Sequence, residues 1–212
     1  MMKVVFLVGF QHQKQRMIKN NIKEKLIVYT IMEGSVVNME KDTQSQDNTL
    51  KVHTLNDTWT VWAHLPHDTD WSIKSYKKIQ NVKTIEETVS ITETLPHKMI
   101  RNCMLFIMRD GIKPTWEDEK NKKGGSFSYK VSNKIVPVTW KNLTYSLVGE
   151  TLTDSINDCK SINGITISPK KNFCVIKIWM ADCKNQDPTI INDVPPGIGP
   201  GRCLFKKHNP EY

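Results

Sequence analysis

Trp116 and Glu117, side by side, carry the clearest chemistry in the sequence. They open the stretch WEDEKNKKGG, residues 116–125, in which a tryptophan precedes three carboxylates, three lysines and a double glycine. An indole kept out of the core can stack a nucleic-acid base, which is worth about 1–3 kcal/mol per base and barely distinguishes one base from another. Selection therefore falls to a polar neighbour. An ionised glutamate only accepts hydrogen bonds, so its two oxygens match the adjacent ring NH and exocyclic amine of guanine, a donor pair that adenine lacks. Such charge-assisted bonds contribute about 1.5–3 kcal/mol each. If the base is itself positive, a second indole over its other face adds cation–π attraction of up to about 2 kcal/mol. Trp71, in the loop HDTDWSIK, supplies that second plate.

Trp71 and Trp116 are flanked by turn-forming and charged residues, whereas Trp59, Trp62 and Trp140 have the setting of core residues. Asp118 and Glu119 read as solvated surface that pairs with the following lysines, and Lys120, Lys122 and Lys123 read as solvated cations. His53 and His64 read as structural, because no serine, cysteine or paired base near them makes a catalytic motif.

Composition narrows the partners. The 212 residues suffice for one domain with a core, and 38% hydrophobic content leaves room for a polar extension. Thirty basic against 22 acidic residues give a net charge of +8, which favours polyanions, although a charged surface that only keeps the chain soluble fits equally well. Five cysteines at scattered spacings, with no CxxC pair, read as reduced thiols and not as a metal site. The opening VVFLVGF is too short for a leader and lacks a small-residue cleavage site, so a cytoplasmic chain is expected. Residues 1–52 read as an extension, partly flexible, because residues 33–52 are polar and aperiodic; the domain is expected over 53–212.

The elements that must position these side chains follow from periodicity. TWTVWAHL alternates as a strand, with Trp59, Val61, Ala63 and Leu65 on one face and Thr60, Trp62 and His64 on the other. Thr84 and Glu87 form a capping box that opens a surface helix to Leu95, with Ile85, Val89 and Thr92 along one stripe. Further strands are expected at Asn102–Met108, Ser126–Val131, GITIS, CVIKIWM and GRCLFKK, and a second helix over Thr139–Asp154. Strands outnumber helices and adjoin in sequence, which predicts an α+β domain with helices on one face of an antiparallel sheet.

HTLNDTWTVW, the loop tryptophan Trp71, RDGIKPTWEDEKNKKGG, the helix TWKNLTYSLVGE and IKIWMADC resemble the eukaryotic translation initiation factor 4E family, the mRNA cap-binding proteins. The resemblance runs from His53 to about Cys183. It implies a curved antiparallel sheet of about eight strands, with three helices packed on the convex face and the 7-methylguanosine cap held in the concave one. Trp71 and Trp116 would sandwich the methylated base, Glu117 would take its two NH donors, and Trp179 would pack against the methyl group. Lys170, Lys171 and Lys177 would hold the triphosphate. Here the chain departs from the family, with Val175 at one basic position and Ser126 in place of an arginine after the double glycine.

On the convex side the resemblance implies a surface for a scaffold protein of the 4G type, which here would involve His53, Ile85, Val89, Lys141, Tyr145 and Gly149. Thr54, Val89, Lys141 and Asn142 replace the family's proline, tryptophan, leucine and glutamate, so an altered scaffold motif is expected, as in a divergent or virus-encoded homologue. A monomer without cofactor, metal or enzymatic activity is expected. Two rival readings stand beside it. One is a general single-stranded RNA binder, or a translation-repressing competitor for the cap. The other is a magnesium-dependent hydrolase built on Glu117, Asp118 and Glu119.

Overall fold

The computed structural model describes residues 52–208. The expectations for residues 1–51, including the extension and its opening apolar stretch, lie outside the described residues.

Seven strands form one curved antiparallel sheet: β1 (Thr54–His64), β2 (Lys77–Thr84), β3 (Met104–Arg109), β4 (Gly125–Ser132), β5 (Ile162–Pro169), β6 (Phe173–Met180) and β7 (Cys203–Lys207). Their order is β2-β1-β3-β5-β6-β4-β7. Four α-helices accompany them: α1 (Ile85–Thr94), α2 (His97–Asn102), α3 (Val136–Val148) and α4 (Ile156–Lys160). The α+β class is as expected. The counts differ, with seven strands among the described residues instead of about eight and four helices instead of three.

Strand alternation divides the sheet into two unlike faces. Trp59, Val61 and Ala63 of β1, Leu105 and Ile107 of β3, and Ile176 and Ile178 of β6 enter one large core with Trp140, Leu143 and Leu147 of α3. Phe106, Met108 and Trp179 point the other way, into a smaller cluster with Ile112. Trp59 and Trp140 are core residues as expected, whereas Trp62 is only half-buried against the smaller cluster. All five cysteines are free.

The helix ends follow local chemistry. Thr84 caps α1 by accepting from the Glu87 backbone N–H at 3.1 Å, and the Glu87 carboxylate reaches back to the Lys83 N–H at 2.7 Å. The buried stripe of α1 differs from the expected one: Thr88, Ile91, Thr92 and Leu95 face inward, while Ile85 is exposed and Val89 half-buried. Helix α3 starts earlier than expected because Pro137 sits in the first turn, where its missing N–H costs nothing, and it stops at Gly149, just before Glu150 takes a left-handed φ of 55°. The expected continuation to Asp154 is replaced by a turn and the short helix α4.

Candidate functional site

On the face opposite the helices, register sets side chains in rows. One row runs Trp62, Phe106, Thr166, Lys177 and Ser128, from β1 across β3, β5 and β6 to β4. The neighbouring row holds Thr60, Met108, Gly164, Trp179 and Ser126. A cleft of about 250 Å³ opens above them, and its walls include Trp71, Tyr76, Trp116, Glu117, Lys177 and Trp179. A larger hollow of about 420 Å³ beside α4 is lined by polar surface residues such as Asn157, Asp158 and Asp182 and contains none of the residues the sequence singles out.

Trp116 is 48% exposed, on a loop whose shape is set by a buried amide. Asn121 is fully buried; its Nδ2 donates to the carbonyls of Lys113 (3.0 Å) and Thr115 (2.8 Å). Its Oδ1 accepts from Asn163 Nδ2 at 2.9 Å, and the same Asn163 amide donates to the Lys120 carbonyl at 2.7 Å. Asp118 corrects the expectation of a solvated acid: its carboxylate accepts from the backbone N–H groups of Lys113 (3.1 Å) and Lys120 (3.0 Å). Glu119 does pair with a following lysine, Lys122, at 2.6 Å. Glu117 is exposed at the cleft.

Trp71 is 58% exposed and held differently. Its indole lies flat on the imidazole of His64, with ring centroids 4.4 Å apart and planes 3° from parallel. Asp70, the preceding residue, accepts from the Ser72 N–H at 2.8 Å and the Ser72 hydroxyl at 3.0 Å, which holds its carboxyl below the usual carboxylate range. Tyr76 packs edge-on between His64 and Phe106, and burial, with Glu117 nearby, pushes its hydroxyl above the usual tyrosine range.

Trp179 forms the floor, 6% exposed, with the His208 ring tilted against it at 4.6 Å. Lys177 reaches the cleft. Burial, then the positive charges of Lys170 and Lys206, holds its ammonium below the usual lysine range. Lys170 and Lys171, on the β5–β6 hairpin, are both exposed and outside the cleft walls. Thr166 Oγ1, Trp179 Nε1 and His208 Nε2 are buried with no hydrogen-bond partner among the described residues. Tyr76, Phe106, Thr166, Asn121 and His208 were missed from sequence. Phe106 and Thr166 were recoverable from strand order, since they neighbour Trp62 and Lys177.

The expected partner-surface residues gather on and beside α1 and α3. Lys141 of α3 makes an ion pair with Glu93 of α1, and Tyr145 and Thr92 share a hydrogen bond of 2.9 Å. His53 Nδ1 meets Glu86 at 2.7 Å at the start of α1, Ile85 is exposed and Gly149 closes α3. Among the described residues no group of three or more His, Cys, Asp or Glu side chains is placed to hold a metal ion, and no helix is long and apolar enough to cross a membrane.

With this geometry in view, the sequence pattern of the eukaryotic initiation factor 4E family matches residues 54–194. The chain belongs to that family. It is 31% identical over 144 residues to eukaryotic translation initiation factor 4E of Eremothecium gossypii, covering 65% of this chain and 66% of that protein. A shorter stretch of 63 residues is 50% identical to the initiation factor 4E homolog of Acanthamoeba polyphaga mimivirus, covering 30% of this chain and 23% of that one. The chain spans less than two thirds of the length of the curated relatives it matches. Among solved structures, Ascaris suum eIF4E-3 in complex with an m2,2,7G cap superposes with a TM-score of 0.58 at 22% identity, over 65% of this chain and 78% of that one. The initiation factor 4E fold therefore accounts for the order of strands and helices.

Proposed function

We propose that this chain binds the 7-methylguanosine cap of mRNA and acts in translation initiation. The observation that carries the reading is that Trp71 and Trp116, two exposed indoles from separate loops, wall one cleft together with Glu117 and Lys177. Trp71 and Trp116 stack the two faces of the base, Glu117 accepts its two NH donors, and Trp179 packs against the methyl group. N7-methylation fixes a positive charge on the ring, so aromatic plates beside an anion favour it over plain guanine. Lys177, with Lys170 and Lys171 on the hairpin, neutralises the triphosphate as point charges. The chain acts by binding, as a cytoplasmic monomer. The hydrolase reading has little support, because Asp118 is committed to backbone N–H groups and Glu119 to Lys122.

Titration with 7-methyl-GTP and with GTP tests this, following tryptophan fluorescence. Strong preference for the methylated nucleotide is expected, and Glu117→Ala loses at least about 2 kcal/mol of binding, as for removal of a charged partner of two donors. Equal affinity for the two nucleotides would sink the reading in favour of a general single-stranded RNA binder, which would instead show a steep salt dependence.

The face of α1 and α3 serves a scaffold of the 4G type with an altered motif, since Lys141, tied to Glu93, brings charge into an apolar interface. A standard 4G-type peptide is expected to bind weaker than micromolar by calorimetry.

A further inference from the structure

We infer that His64 is a positioning residue: its imidazole is a backing plate that presents the Trp71 indole to the base. The inference rests on the cap-binding reading above and concerns how one of its two plates is held. β1 alternation puts His64 on the cleft face, in line with Thr60 and Trp62. The two rings differ sharply in burial, 3% exposed for His64 against 58% for Trp71, and they lie parallel at 4.4 Å. A buried inner ring therefore covers one face of an exposed outer one.

His64 is itself fixed from two directions. Its Nε2–H donates to the Asp70 carbonyl at 2.9 Å, which ties the imidazole to the residue directly before Trp71. Tyr76 meets its ring edge-on at 5.0 Å and 62°, and Tyr76 in turn meets the buried Phe106 at 5.4 Å and 61°. A ladder of four rings thus runs from the sheet to the exposed indole. The rest of the loop from Leu65 to Ser72 is held by bonds among its own exposed residues, such as Asp70 N–H to Asp68 at 3.1 Å. Nothing in those bonds sets the angle of the Trp71 ring. A flat partner at van der Waals distance does, because it restricts the indole to orientations parallel to itself and leaves the opposite face for a ligand. Histidine combines two functions that other residues divide: a phenyl ring stacks but cannot hold Asp70, and an amide holds the carbonyl but stacks poorly.

Calorimetric titration of the full chain with 7-methyl-GTP and GTP tests this in wild type, His64→Ala, His64→Phe, Trp71→Ala and the His64→Ala/Trp71→Ala double variant. His64→Ala is expected to weaken 7-methyl-GTP binding roughly three- to tenfold, the value of one aromatic pair. His64→Phe recovers most of that loss by restoring the stack. In the Trp71→Ala background, removing His64 costs less than about twofold, since a residue acting through another shows no effect once that other is gone. If His64→Ala does not fold, His64→Leu, which fills the space without a flat ring, replaces it with the same expected loss. Wild-type selectivity with an unaffected His64→Ala variant, or with equal losses in both backgrounds, overturns this inference alone. Tighter binding by His64→Ala overturns it too, by showing the stack to be a resting position that competes with the base. Equal wild-type affinity for the two nucleotides overturns the cap reading and this inference with it.

Discussion

The loop of Trp116 and the loop of Trp71 bring equivalent side chains to one cleft by opposite means. The first is organised from inside: Asn121 is fully buried, and with Asn163 it supplies four hydrogen bonds to neighbouring backbone and side chain groups, in surroundings where an unmade bond is costly. The second is organised mainly from outside, by Asp68 and Asp70 in solvent, and from inside by His64 alone, through a ring stack on Trp71 and one bond to the Asp70 carbonyl. Buried hydrogen bonds to backbone fix a loop at nearly every step of its path, whereas exposed ones compete with water and fix little. The Trp116 side is therefore tied mainly through buried bonds and the Trp71 side mainly through exposed ones. Glu117, to which the proposed function gives the choice of base, lies on the Trp116 side.

The largest expected effect breaks that contrast. Asn121→Ala strands the Lys113 and Thr115 carbonyls and leaves the Asn163 amide with one acceptor, so stability falls by about 3 kcal/mol in denaturant unfolding, and selectivity for the methylated nucleotide falls with it. A smaller effect separates the walls by pH. His208 Nδ1–H donates to the Asn121 carbonyl at 2.8 Å; burial outweighs the proton-favouring effect of that bond and, with the charge of Lys177 adding to it, lowers the imidazole's affinity for a proton. The unfolded chain then binds the proton at higher pH than the folded one, so stability is full above the ordinary histidine value and declines as pH falls through it toward the lowered value of the folded state. His208→Phe is expected to remove that slope in urea unfolding curves measured at pH values from about 7 to 5. Smallest is Asp70→Ala, which removes only exposed bonds: unfolding midpoints stay within error of wild type, and 7-methyl-GTP affinity drops a fewfold as the Trp71 loop loosens. A loss in Asp70→Ala as large as that in Asn121→Ala would abolish the distinction between the two loops.

Much of this was legible in the residues themselves, for definable reasons. The apolar residues of β1 alternate from Trp59 to Ala63, so Trp59 and Trp62 separate to opposite faces, and the Thr84–Glu87 cap announces α1. Trp71 and Trp116 were distinguishable from core tryptophans because polar neighbours cannot follow an indole into an apolar interior. β2 was not legible: KKIQNVKT is an edge strand with only Val82 buried, and an edge strand lacks the apolar alternation of a covered one. Asn121 and Asp118 were hidden by company, since an amide and an acid among lysines look solvated, and only the folded loop reveals that both address backbone groups. His64 has no catalytic motif around it in the sequence, and its contact with Trp71 depends on a loop whose path no periodicity encodes.

The row from Phe106 through Thr166 to Lys177 makes the sheet a ruler. Adjacent strands are about 4.8 Å apart, so two steps carry the surface from an aromatic ring to an ammonium group over roughly 10 Å, with a hydroxyl midway. Under the proposed function, a guest lies with its flat head toward Phe106 and its anionic tail toward Lys177, and a molecule with the same groups in reverse order, or joined by a shorter link, meets a cation with its ring or a phenyl with its charge.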